Sequence, residues 1–76
     1  MRIFIQGIYV PNTNEWWVDS GWTFADLRAD VVKILTAKTG NPEGYDCLVD
    51  GEVMDPTSRV SGFVSEGGDV WLSPRS

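Results

Sequence analysis

Histidine is absent from this chain, and cysteine occurs once, at Cys47. A lone thiol cannot close an intrachain disulfide, and without histidine it cannot complete a structural zinc site, which takes four Cys/His ligands. No histidine base is available for acid–base chemistry near neutral pH. Basic residues are also scarce, six Lys/Arg against eleven Asp/Glu, for a net charge of −5. Without clustered Lys/Arg, a nucleic-acid backbone and an anionic membrane surface are both excluded as expected partners. No apolar run approaches the ~20 residues of a membrane span. Met1-Arg2 is followed by three apolar residues and then Gln6-Gly7, far short of a secretory signal. The lone cysteine fits a reducing compartment, so a cytoplasmic location is expected.

What the chain has instead is bulk. Four Trp, three Phe and two Tyr stand in 76 residues. A chain of this size buries only ~60% of its unfolded surface, so one domain spanning residues 1–76 is expected, packed around large aromatic side chains. The acidic residues are scattered from Glu15 to Asp69 and serve solubility.

The patterning reads as strand, turn, strand, helix, strand, turn, short strand, loop, strand, without repeats. Residues 2–8 are strand-like, with Met1, Ile3 and Ile5 on one face and Arg2, Phe4 and Gln6 on the other. Pro11-Asn12-Thr13-Asn14 is a turn cluster, followed by a strand from Glu15 to Asp19. Thr23 is an N-cap with Asp26 at capping-box spacing, and Trp22 and Leu27 occupy the two positions of a hydrophobic staple. Phe24, Leu27, Val31 and Ile34 form a helical stripe, extended by Leu35 and Lys38, and Gly40 with Pro42 stops the helix, predicting it over 24–38. Tyr45 to Val49 is a strand, Asp50-Gly51 a tight hairpin turn and Glu52-Val53-Met54 its short partner. Thr57 to Val64 is irregular or one helical turn, with Val60, Phe63 and Val64 tucked inward. Gly67-Gly68-Asp69 turns into the last strand, Val70-Trp71-Leu72, which Pro74 ends.

In this order and spacing, the chain resembles the ubiquitin-like β-grasp family. The likeness runs through Met1-Arg2-Ile3-Phe4-Ile5, the Thr23 cap, Gly40-Asn41-Pro42, Cys47 to Met54, Val60 to Val64, and Gly67 to Leu72. It implies an α+β fold in which one helix crosses one face of a mixed four-strand sheet. Modifiers and sulfur carriers of this kind end in Gly-Gly, whereas this sequence ends Leu72-Ser73-Pro74-Arg75-Ser76. A flexible, side-chain-free tail is what activating enzymes thread into their sites. The resemblance therefore implies binding rather than conjugation. The nearest functional analogy is the YukD-like bacterial ubiquitin-like proteins linked to type VII secretion. A modifier or carrier with a divergent or processed tail, and a phage or mobile-element mimic of a host ubiquitin-like domain, are the alternatives.

No catalytic constellation and no cofactor site is legible, so the chain is not expected to be an enzyme. Cys47 sits in a strand beside Asp46, where an acidic neighbour disfavours a thiolate, and reads as core. Asp46, Asp50, Glu52 and Asp55 lack calcium-loop spacing and read as a solvated hairpin. The tryptophans are more telling. If Ile3, Ile5, Trp16, Val18, Cys47, Val49, Val70 and Leu72 face the helix, then Phe4, Trp17, Leu48 and Trp71 face solvent together. In ubiquitin, the open face around the equivalents of Leu48 and Trp71 is the main docking surface. These four residues are the candidate protein-binding site, for a partner protein or a second copy of the chain. A one-residue slip in register would turn them inward.

Overall fold

The computed structural model describes residues 1–8, 10–35 and 41–75. Five strands and one α-helix follow in chain order: β1 (Arg2–Gly7), β2 (Val10–Trp17), α1 (Phe24–Leu35), β3 (Tyr45–Val49), β4 (Glu52–Val53) and β5 (Asp69–Pro74). Single 3-10 turns stand at Pro42–Gly44 and Val60–Gly62. The sheet order is β2-β1-β5-β3-β4, with β1 and β5 parallel and the other pairs antiparallel. The sheet thus has five strands rather than the expected four. The fifth is β4, which the Asp50-Gly51 turn folds back onto β3. Both turn residues take positive φ, 53° and 80°, as a type I′ turn requires.

The second strand starts earlier than its sequence suggests. Pro11 to Asn14 form part of β2 instead of a turn. Asn12 uses its tolerance for the left-handed region inside the strand, at φ 61°. The β1–β2 register shifts between Ile5 and Gly7 beside it, the mark of a bulge. Because β2 is an edge strand, Pro11 is tolerated there.

The helix begins as its capping residues dictate. Thr23 N donates to Asp26 Oδ2 at 3.0 Å, and Asp26 N donates to Thr23 Oγ1 at 3.2 Å, a reciprocal capping box. Leu27 is buried, and Trp22, half-buried, packs at the rim of the core. The buried stripe is Phe24, Leu27, Val31 and Val32. Ile34, expected on it, is 63% exposed. At about 100° per residue, Val32 and Ile34 flank the buried stripe on opposite sides, and packing against the sheet takes in Val32 and leaves Ile34 out. Arg28, beside the stripe, is half-buried and donates to the Tyr45 carbonyl at 3.2 Å. The predicted helix end, Lys38 and Gly40, lies outside the described residues.

Between helix and sheet, Ile3, Ile5, Val18, Cys47, Val70 and Leu72 join the helical stripe in one cluster, with Trp16 and Val49 packed against it. Each fully buried Leu, Ile or Phe contributes roughly 1.5–3 kcal/mol of transfer free energy, so these positions dominate stability. Val60 and Val64 close the core from the last loop. Phe63 does not join them: it is 57% exposed. The single 3-10 turn at Val60–Gly62 brings Val60 and Val64 inward and leaves Phe63 at the rim, its ring 6.2 Å from that of Phe24. Pro74 is the last residue of β5 rather than its stop, and Arg75 N still donates to Gly44 O at 2.7 Å. No helix among the described residues is long and apolar enough to cross a membrane.

Candidate functional site

With the helix on one face, alternation along each strand sends Arg2, Phe4, Gln6, Glu15, Trp17, Asp46, Leu48, Val53, Asp69 and Trp71 to the other. The four residues singled out from sequence all lie on this open face. Trp17 and Trp71 are exposed, and Phe4 and Leu48 are half-buried.

Register decides which of them meet. Trp71 stands opposite Leu48 on β3 and opposite Gln6 on β1, and Leu48 stands opposite Val53 on β4. The result is a row, Gln6–Trp71–Leu48–Val53, across four strands. Directly opposed side chains on one face lie ~5 Å apart at Cβ and cover one another in part. Trp71 nevertheless keeps 41% of its surface accessible and Val53 57%. Phe4 belongs to the next row, between Glu15 and Asp69. Trp17 lies one row further, on the edge strand opposite Arg2. The structure therefore brings Leu48 and Trp71 together, sets Phe4 diagonally beside Trp71, and leaves Trp17 at the far corner.

Val53 belongs to this row although it was not among the predicted site residues. Its signal was present: a two-residue Asp50-Gly51 loop fixes the hairpin register, so Val53 must oppose Leu48. A depression of ≈ 560 Å³ opens beside the row, lined by Gln6, Leu48, Trp71 and the two carboxylates Asp50 and Asp69.

The charges of the face are unevenly matched. Arg2 lies 3.6 Å from Glu15 and 3.5 Å from Glu66, and Arg75 pairs with Asp46 at 2.8 Å. The carboxylates of Asp50 and Asp69 have no hydrogen-bond or ion-pair partner among the described residues. The open face thus combines an apolar row with uncompensated negative charge at one border.

Cys47 lies on the opposite, buried face. Burial pushes its thiol up to about 12; the Arg28 charge pulls the other way and Asp46 adds to the rise. Its Sγ sits 3.9 Å from the Phe24 carbonyl oxygen. A thiol so placed is protonated at neutral pH and is no nucleophile. Among the described residues, no three His, Cys, Asp or Glu side chains gather as a metal-binding group. On the helix side, Trp16 spans from β2 to α1 and donates its indole N–H to Asp30 at 3.0 Å, a structural tie.

No protein-family model matches this sequence, and neither does any curated protein. Among solved structures, the ubiquitin of Caldiarchaeum subterraneum superposes with a TM-score of 0.80 over 100% of this chain and 94% of that one, at 19% sequence identity. Likeness at that identity is likeness of backbone, and together with the topology above it shows that this α+β chain has the ubiquitin-like β-grasp fold.

Proposed function

We propose that this chain is a non-catalytic interaction module that binds a partner protein across the open face of its sheet. The observation that carries this reading is the apolar row on three adjacent strands, with exposed Trp71 and Val53 on either side of half-buried Leu48. Trp is the residue type most enriched among interface hot spots, and here it stands on rigid strands with its neighbours in register. Covering an apolar strip on the order of 200 Å² is worth about 5 kcal/mol. Association costs at least ~4 kcal/mol in lost freedom, so the row can anchor a complex but needs polar help to make a tight one.

The test compares what the immobilised chain retains from a lysate of its source cells with what its variants retain. Proteins bound through the face should be lost to Trp71→Ala and to Leu48→Ser. They should be kept by Ile34→Ser, an exposed position on the helix, with unchanged far-UV circular dichroism throughout. Retention by all variants alike would refute the reading.

A further inference from the structure

Phe63 lines a second depression, of ≈ 250 Å³, together with Val49 and Val64. This depression and the one beside Trp71 share Asp50, Gly68 and Asp69. The two therefore adjoin at these residues and together outline a track. Trp71 and Leu48 supply an apolar end, Asp50 and Asp69 a negative waist, and Phe63 a second apolar end. At Gly68 the chain is close-packed beneath the waist: a Cβ there would meet Val64 Cγ1 at 2.8 Å and the Ser65 carbonyl oxygen at 3.0 Å.

The charge of the waist selects what can lie in it. The arginines nearest the face are already engaged, Arg2 with Glu15 and Glu66, and Arg75 with Asp46. Asp50 and Asp69 have no such partner among the described residues. A wholly apolar occupant would strip water from two carboxylates and give nothing back. A second copy of this chain, at net charge −5, would set like charges against them. A cationic side chain offsets both costs and can also lie on the Trp71 ring.

Resting on the open-face reading above, we propose that the track binds an extended basic segment of a partner protein. A Lys or Arg is held between Asp50 and Asp69, and apolar side chains on either side of it cover Trp71–Leu48 and Phe63.

A random-sequence peptide library displayed on phage and panned on the immobilised chain tests this. Enriched peptides are then synthesised and titrated into ¹⁵N-labelled protein. The enriched sequences should carry Lys or Arg flanked by apolar residues. Their binding should weaken roughly tenfold between low and high salt, because rim charges are screened. The double variant Asp50→Asn/Asp69→Asn should weaken binding about tenfold with its spectrum otherwise intact, since Asn tolerates the positive φ at position 50. Phe63→Ala should weaken it too, and Trp71→Ala should abolish it. Binding that ignores salt and the Asp→Asn changes but is lost in Trp71→Ala would overturn this proposal and leave the open-face reading standing. Binding untouched by Trp71→Ala would overturn both. Absence of enrichment over an unrelated acidic protein, or a dimer in sedimentation that Trp71→Ala dissolves, would also overturn the basic-segment proposal.

Discussion

The guanidinium of Arg2 lies 5.5 Å from the centre of the Phe4 ring, two residues along the same strand and on the same face. Glu15 and Glu66 hold it there from two sides. Glu66 also accepts from the Arg2 backbone N at 2.9 Å, so the last loop is stitched to the first strand at this point. Phe4 is therefore roofed by a cation from its own chain, while among the described residues no cation covers Trp71. An exposed cation–π contact is worth ~0.5–1 kcal/mol and an exposed ion pair less than that. Arg2→Ala should lower the unfolding free energy by about 1 kcal/mol in urea titrations at low salt, with a smaller deficit at high salt. A midpoint equal to wild type would show that the roof does not stabilise the fold.

Thr23 governs how the helix starts. Its hydroxyl and the Asp26 carboxylate satisfy two backbone donors that the first turn would otherwise leave free. Thr23→Ala should cost about 1 kcal/mol, and Thr23→Ser should restore most of it, because serine keeps the accepting oxygen. Equal thermal midpoints for the two variants would exclude the cap as the cause.

That cap was legible in the sequence, and so was the open face, because both depend on local spacing. Period-two alternation needs only a strand and a buried side, and it placed Phe4, Trp17, Leu48 and Trp71 correctly on one face. The grouping of those residues was not legible in the same way. Which strand neighbours which follows from the crossover after the helix, and this puts β5 between β1 and β3, far from Trp17. The bulge at Asn12 escaped for a related reason: Asn in a turn and Asn in a bulge use the same left-handed conformation. Ile34 and Phe63 are apolar residues near the edge of a buried stripe. Rotation of the helix and the length of a single 3-10 turn, both set by tertiary packing, decided their exposure. The shared waist between the two depressions belongs to no sequence motif, since it joins a hairpin to a loop nearly twenty residues away.

Gly7 is a second position that packing alone explains. In β1 it pairs with Leu72 of the parallel strand β5. A Cβ at Gly7 would fall on the Leu72 carbonyl oxygen, and backbone cannot move aside as a side chain can. Gly7→Ala should destabilise by about 2–3 kcal/mol despite removing a flexible residue, the reverse of the gain expected at an unstrained glycine. Chemical denaturation checks the sign. A stabilised variant would mean that β1 and β5 are not in this register.

Cys47 gives the fold a predictable alkaline weakness. Its thiol titrates near 9.0 when exposed and is pushed up to about 12 by burial in the folded chain. Well below 9.0 the thiol is protonated in both states and the shift has no effect on stability. Between the two values the unfolded chain loses a proton that the folded chain keeps, so stability falls as pH rises, by up to ~1.4 kcal/mol per pH unit. Relative to their values at neutral pH, wild type should lose about 2 kcal/mol more than Cys47→Ala by a pH of about 10.5, whatever the substitution itself costs. Other groups that titrate in this range are common to both proteins and cancel in the comparison. The same burial predicts that a disulfide reagent such as dithionitrobenzoate reacts with native protein only at the rate of its unfolding, and immediately in denaturant. Parallel pH profiles for the two proteins, or fast labelling of the native state, would place Cys47 at the surface and contradict its position between Phe24 and the sheet.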